Sequence, residues 1–295
     1  MLPQAQTWFD VYTTARGAEL RDSSRRVYGA WWKQYADYLQ DKGLTLAGVH
    51  PSQIRAFLET YRGNTAIRYF RLLSAIYATA LDHDLCKSNP LDPLGRDYER
   101  EEDPVPVATV PVEALERLYS IKPGGAWKKH RDRVLVLLTA EAGLRRSELL
   151  SLQTAQLRLD SIPPRVSIVK TLTAEKRDVD LSARLATELR AWLVLRTKSG
   201  LRGTLVFPAS PDGAALNPST VYRIIERHLD QVGVGKEAMG MSGARVLRAS
   251  LAQRTKSAGA ELPALQKVLG HRQLMSTADL VERTRPFVPE HPTNT

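Results

Sequence analysis

The feature that most constrains the fold is a charged, proline-interrupted segment one third of the way along the chain. Residues 98–107 read YEREEDPVPV, and alternating prolines disfavour helix and suit an extended connection. The flanking stretches of this 295-residue chain are each long enough to bury a core. We therefore predict a first domain over residues 1–98, a linker over 99–111, a second domain over 112–285 and a tail over 286–295.

Charge is unevenly divided between these parts. Residues 1–103 contain 13 Lys and Arg against 14 Asp and Glu, whereas residues 104–295 contain 29 against 18. An excess of positive charge confined to the second part of the chain indicates a surface there that binds a polyanion. The alternative explanation is that this charge serves only to keep the protein soluble. No apolar run is long enough for a membrane span, no export signal follows Met1, and a single cysteine, Cys86, is typical of a reducing cytoplasm.

Apolar periodicity predicts a mainly α protein. In the first domain, helices are expected after Ser23 or Ser24, from Pro51, and from Asn64 or Thr65, which together form a small bundle. The second domain is expected to be mixed α/β but mostly helical, with one small β-hairpin of strands 165–169 and 177–181. Its helices are predicted over residues 112–120, 131–142, 146–152, 182–195, 218–233, 243–258 and 262–269.

Five polar residues of the second domain form a candidate site for a phosphodiester: Arg145, Lys170, Arg245, Arg248 and His271. Guanidinium groups bind phosphate oxygens through forked hydrogen bonds, and a hairpin lysine can protonate a leaving oxygen. Arg145 follows a helix-ending glycine, and Glu148, one turn later, can hold a neighbouring arginine. Arg245 and Arg248 are spaced to lie on one helix face. Gly270 before His271 leaves room for a ligand near the backbone, and Lys176 competes with Lys170 for the hairpin position.

The order of these motifs resembles a known family. The stretches Thr139–Leu152, Val166–Leu181, Arg245–Gln253 and Leu265–His271 resemble the catalytic domain of the tyrosine recombinases, also called phage integrases. The helical first domain, ending in Ser88-Asn89-Pro90, is similar to the core-binding domain of that family.

The resemblance implies two domains that clamp double-stranded DNA, with two protomers at each site and four in a synapse. It implies that Arg145 and Arg248 are the paired arginines, that Lys170 is the general acid, and that His271 is a second proton-handling or phosphate-contacting group. It implies no metal or other cofactor, no membrane partner, and a cytoplasmic, nucleoid-associated protein.

Three positions depart from the family pattern. The nucleophilic tyrosine is expected at position 280, which is Leu280, and no tyrosine follows Tyr222. Arg245 replaces a histidine, and Ala249 replaces another. The hydroxyls of Ser276, Thr277 and Thr284 are interpreted as helix caps, and Tyr222 as a core residue.

Three functions remain open. The chain is a silent DNA-binding relative, a recombinase subunit whose tyrosine comes from a partner protomer, or an enzyme that uses water or an unconventional nucleophile. Further DNA contacts are expected from Arg25, Arg68, Arg71, Arg146, Lys176, Arg223 and Arg227, each of which is also explained as a solvated surface charge.

Overall fold

The computed structural model describes residues 3–98, 106–169, 176–235 and 243–286. The chain divides into two compact units, Met1–Pro104 and Val105–Thr295, and the division falls inside the predicted linker. Residues 99–105 of that linker and residues 287–295 of the predicted tail lie outside the described residues.

The first unit is helical throughout its described part. Its helices are α1 (Pro3–Arg16), α2 (Asp22–Asp41), α3 (Pro51–Leu58), α4 (Asn64–Asp82) and α5 (Gly95–Tyr98). A capping box formed by His50 and Gln53 starts α3. The expected serine cap of α2 is wrong, because that helix already begins at Asp22 after Arg21.

Aromatic side chains form much of the first core. Trp8 and Trp32 are fully buried, and the indole Nε1 of Trp32 donates to the Ala5 carbonyl at 2.7 Å. The Tyr77 hydroxyl donates to the Leu46 carbonyl at 2.9 Å. These bonds satisfy the polar ends of large apolar side chains, so the rings are fixed inside the bundle rather than offered for stacking on a base.

The second unit is built around α7 (Trp127–Ala142), whose residues 131–140 are all buried, whereas Lys128 and Lys129 in its first turn are exposed. The other helices of its described part are α6 (Val112–Ser120), α8 (Arg146–Ser151), α9 (Ala183–Lys198), α10 (Pro218–Gln231), α11 (Ala244–Ser257), α12 (Leu262–Leu269) and α13 (Leu274–Arg283). The helix predicted over 131–142 starts four residues earlier, because the first turn, residues 127–130, is polar on its exposed side and has no apolar periodicity to mark its beginning.

Two small sheets complete the second unit. Strands β2 (Leu157–Arg158), β3 (Arg165–Ile168) and β4 (Arg177–Asp180) form an antiparallel sheet in which Val166 lies opposite Val179. Strand β1 (Val107–Thr109) pairs in parallel with β5 (Thr284–Pro286), so residues 107–109 of the predicted linker belong to a sheet. The predicted fold class, mainly α with a small sheet in the second domain, is confirmed.

Candidate phosphate-binding site

Four chain segments meet at one polar cluster in the second unit. Gly143 ends α7 in the left-handed conformation, with a φ of 60°, and the chain turns directly into Arg145 at the start of α8. Arg177 opens β4, and Arg248 lies on α11. The turn after α12, where Gly270 has a φ of 65°, presents His271. Element ends therefore position Arg145, Arg177 and His271, and the body of α11 positions Arg248.

A buried ion pair lies at the base of the cluster. Both Nη atoms of Arg177 donate to the carboxylate of Glu148, at 2.7 and 2.9 Å, and each of the two side chains is 2% exposed. The backbone N–H of Arg145 donates to the same carboxylate at 2.7 Å, and its Nη1 does so at 3.2 Å. One carboxylate thus organises two guanidinium groups.

Arg145 and Arg248 converge on the turn after α12. Arg145 Nη2 donates to the Gly270 carbonyl at 2.8 Å, and Arg248 Nη2 donates to the adjacent Leu269 carbonyl at 3.0 Å. Nη1 of Arg248 also donates to the Gly143 carbonyl. The arginines come from segments about one hundred residues apart, yet they bond neighbouring peptide groups.

His271 is held from both sides. Its Nε2 lies 3.2 Å from Nη2 of Arg248, and its Nδ1 lies 3.0 Å from the Thr277 hydroxyl. Because a guanidinium group can only donate, Nε2 accepts from Arg248 and Nδ1 carries the proton that it donates to Thr277. The imidazole is therefore neutral, with a fixed tautomer.

Burial and like charge shape the electrostatics. Burial lowers the pKa of Arg248 to about 9, with further lowering by the charge of Arg145. Burial and the neighbouring guanidinium groups lower the pKa of His271 to about 4. Burial opposes ionisation of Glu148, but the hydrogen bonds and charge of Arg177 outweigh it and lower the pKa of that carboxyl. Three guanidinium groups around one carboxylate leave an excess of positive charge, which suits a bound anion.

The glycine before His271 has a use that differs from the predicted one. A Cβ at Gly270 would lie 2.5 Å from Nη1 of Arg177. The space at this position is thus taken by a guanidinium group of the protein. Arg177 was missed by the sequence reasoning, although the alternation of β4 places it on the same face as the buried Val179.

The other predicted catalytic residues are Arg245 and Lys170, with Lys176 as the alternative for the hairpin position. Arg245 lies one turn before Arg248 and is exposed, with no hydrogen bond or ion pair in the described part of the chain. Lys170 lies outside the described residues. Lys176 is exposed beside β4 and lines a cavity together with Arg177 and Lys267.

The predicted DNA-contacting arginines are all exposed. Arg146 is the first residue of α8, and the others lie on helices of both units: Arg25 on α2, Arg68 and Arg71 on α4, and Arg223 and Arg227 on α10. Arg68 and Arg71 line a cavity with Tyr28 and Trp31 in the first unit. Exposure alone does not identify which of these side chains would contact DNA.

No phenol lies in the segment where a tyrosine was expected. Leu280 is on α13 and packs against an apolar cluster that includes Leu251 and Leu265. Thr277 lies inside α13, is fully buried and contacts His271, so its interpretation as a cap is wrong. The interpretation of Tyr222 as a core residue is also wrong, since it is 37% exposed.

Among the described residues, no helix has both the length and the apolar character that crossing a membrane requires.

Comparisons with known proteins agree with this architecture. The model of the phage integrase family matches residues 109–281. The tyrosine recombinase XerD of Brucella abortus is 28% identical, with 97% of this chain and 96% of the relative covered. XerD of Pseudomonas aeruginosa is 27% identical, with 93% and 91% covered.

Solved structures share the fold. XerH bound to palindromic difH substrate, in a post-cleavage complex, matches with a TM-score of 0.74 at 21% identity, covering 94% of this chain and 81% of that one. The Tn1549 transposon integrase in complex with transposon right end DNA matches with a TM-score of 0.70 at 18% identity, covering 95% of each chain. The resemblance noted in the sequence is thus confirmed, and the chain belongs to the phage integrase family, the tyrosine recombinases.

Proposed function

We propose that this protein binds duplex DNA, holds one backbone phosphate between Arg145 and Arg248, and does not cleave the strand by itself. The observation that carries the proposal is the convergence of these two guanidinium groups on the Leu269 and Gly270 carbonyls, beside a neutral His271. Arginine forks of this kind match the oxygens of a phosphodiester.

A phosphate would relieve an unfavourable arrangement of charge. Arg248 is 8% exposed, and its nearest ionic neighbours include two further guanidinium groups. The nearby Glu148 carboxylate is already bonded to Arg177 and Arg145. An incoming anion therefore finds positive charge that the protein does not fully neutralise, in a partly dry site where attraction is strong.

The absence of self-cleavage is inferred from the hydroxyl groups near the site. The Thr277 hydroxyl is buried and bonded to His271, and the Thr284 hydroxyl is bonded to Gln253 and to the Val281 carbonyl. Position 280 is an aliphatic residue in an apolar environment. Alkyl hydroxyls without a base partner are weak nucleophiles, and His271 would have to lose its bond to Arg248 to serve as that base.

The relatives support DNA as the ligand and a multimer as the working form. One solved relative is described as bound to palindromic difH substrate, a second as in complex with transposon right end DNA, and a third as a lambda integrase dimer bound to a core site. The second candidate function is an active recombinase subunit that receives its tyrosine from a partner protomer. The intact arginine and histidine cluster favours that alternative, because such a subunit needs every other part of the site.

Binding is tested with a duplex of about 30 base pairs and fluorescence anisotropy over a salt series. Arg145→Ala should weaken binding by about 1.5–3 kcal/mol, because it removes a charge-assisted contact. Arg145→Lys is the matched control for charge, and it should recover only part of the loss because lysine lacks the fork. Log affinity should fall linearly with log salt. An affinity that ignores salt and both substitutions would contradict the proposal.

Cleavage is tested with a pool of nicked duplexes of randomised sequence on a denaturing gel. The proposal predicts binding without a covalent adduct when the protein acts alone. An adduct that forms only after a partner recombinase is added would establish the shared-tyrosine alternative. An adduct from this chain alone would overturn the claim that it cannot cleave.

A further inference from the structure

A second basic site lies at the opposite end of α7 from the arginine cluster. A cavity of about 220 Å³ opens there between the loop before α7, the first turns of that helix and the last turns of α10. On α7, Lys129 and Arg133 in the cavity lining precede Gly143 by 14 and 10 residues, which corresponds to about 15–21 Å at 1.5 Å a residue. The cavity is therefore separate from the site proposed to bind the reacting phosphate.

The lining is strongly cationic. Lys122, Lys129 and Arg227 line the cavity, are exposed, and have no hydrogen bond or ion pair within the described ranges. Lys129 lies over the loop glycine: its Nζ would be 4.0 Å from a Cβ at Gly124, which has a φ of 64°. One carboxylate, Asp132, lines the cavity as well, but it accepts two hydrogen bonds from Arg131, at 2.6 and 2.9 Å. The cavity thus has unpaired positive charge.

Two largely buried side chains in the lining have polar atoms for a ligand, and one of these atoms is buried without a partner. Arg133 and His228 are each 7% exposed. Both Nη atoms of Arg133 bond Glu188, but its Nε has no hydrogen-bond partner. Nδ1 of His228 lies 2.8 Å from the Ile224 carbonyl, and no bond to its Nε2 is found among the described residues. Buried polar atoms in native proteins usually have partners, so Nε of Arg133 offers a hydrogen bond to an acceptor in the cavity.

We propose that this cavity binds the phosphate group of a small phosphorylated molecule, or a diphosphate, with Lys122, Lys129, Arg133, Arg227 and His228 as its contacts. The cavity accommodates a tetrahedral oxyanion with room for a second one. Helix α7 supports the assignment, because it has no side-chain cap and no acidic residue in its first turn. This proposal is independent of the proposed function, since it concerns other residues and another ligand.

Binding is expected to be coupled to a proton. A carbonyl oxygen can only accept, so Nδ1 of His228 carries the proton and Nε2 of the neutral ring is an acceptor. Burial lowers the pKa of His228, and the charges of Arg227 and Arg133 lower it further, against Asp132. Lys122 and Lys129 line the same cavity and also oppose protonation. A bound dianion offsets these charges, so it raises the pKa of His228 and makes Nε2 a donor.

The test uses sulfate, which keeps its charge between pH 5 and 8, and pyrophosphate, both at constant ionic strength with the full-length protein. NMR of the His228 ring should show saturable binding with a dissociation constant of about 1 mM or tighter. Sulfate should raise the pKa of His228, and affinity should increase as the pH falls. Lys129→Gln should weaken binding by about fivefold to tenfold, as expected for one charge-assisted contact.

Lys128 provides the matched control, because it precedes Lys129, has the same charge and faces the Trp127 ring at 5.6 Å instead of the cavity. Lys128→Gln should leave the His228 response unchanged. An absence of saturable binding, or equal effects of the two substitutions, would overturn the proposal. A competition with duplex DNA distinguishes the two sources of phosphate: retained pyrophosphate binding supports a free small ligand, and displacement by DNA would overturn that assignment.

Discussion

Replacing Glu148 by glutamine should destabilise the second unit strongly. The substitution removes the only carboxylate that contacts Arg177 within the described residues, and Arg177 is 2% exposed. Breaking a buried ion pair by removing one partner costs about 3–5 kcal/mol, because the remaining charge stays buried. The glutamine amide also places an N–H group against a guanidinium donor. We therefore expect a loss in that range for Glu148→Gln.

A double substitution separates the free-energy cost of leaving one buried charge unpaired from the net contribution of the ion pair to stability. Glu148→Leu combined with Arg177→Met removes both charges and fills the space with apolar side chains. Such replacements are often close to neutral. The double variant should therefore be more stable than Glu148→Gln, even though it also loses the 2.9 Å bond from Arg177 Nε to the Val268 carbonyl.

The pH dependence of the free energy of unfolding provides an independent test of the ion pair. The folded protein lowers the pKa of Glu148, so the stability from its ionised form is present above the unfolded pKa, about 4.3, and is lost as the pH falls further. Glutamine has no such dependence. The stability difference between the original protein and Glu148→Gln should consequently narrow on acidification below that value.

The assay is urea unfolding of protein labelled with 5-fluorotryptophan. The ¹⁹F resonance of Trp192 reports the second unit alone, because this indole is 1% exposed there and donates to the Val206 carbonyl at 2.9 Å. Midpoints and slopes give the free energy of unfolding. A Glu148→Gln variant within 1 kcal/mol of the original protein, at neutral pH, would refute the role assigned to the pair.

Three further predictions use the same unfolding assay. Gly270→Ala should lower the free energy of unfolding by roughly 1–3 kcal/mol more than Gly200→Ala does. Both glycines have a φ of 65°, but only a Cβ at position 270 would lie against Arg177. Equal losses for the two substitutions would contradict this packing. The fold lowers the pKa of His271 to about 4, so the stability that its neutral form contributes is present above the unfolded pKa of about 6.5 and is lost as the pH falls towards 4. His271→Gln should therefore flatten the dependence of the unfolding free energy on pH between these two values. An unchanged pH dependence would disprove this assignment. Thr277→Val should lower the free energy of unfolding by about 1 kcal/mol, because it removes the hydrogen bond to His271. The control Ser276→Ala, at an exposed position, should leave stability unchanged. If Thr277→Val also leaves stability unchanged, the hydrogen bond contributes nothing.

Much of the arginine and histidine cluster could be predicted from the sequence, because short-range signals such as helix-ending glycines determine where its residues lie. Gly143 and Gly270 mark helix ends, and both have the left-handed conformation that such ends favour. Arg145 and His271 follow directly, so their positions at rigid corners were foreseeable. Convergence of Arg145 with Arg248 was suggested by motif order and is present in the structure.

Other parts could not be predicted because distant residues decide them. The parallel pairing of β1 with β5 joins residues 107–109 to residues 284–286, and no short pattern signals it. The exposure of Arg245 depends on how α11 is oriented, since an i,i+3 spacing alone did not show which arginine would be buried. Arg177 was foreseeable from strand alternation, but its pairing with Glu148 required the three-dimensional arrangement of β4 and α8.

The central claim is that Arg145 and Arg248 share one phosphate-like anion. Anomalous diffraction from crystals soaked in tungstate measures this directly. The account predicts a tungstate within hydrogen-bond distance of both guanidinium groups, beside His271. Tungstate bound elsewhere on the protein, with the space between these two arginines empty at saturating concentration, would contradict it.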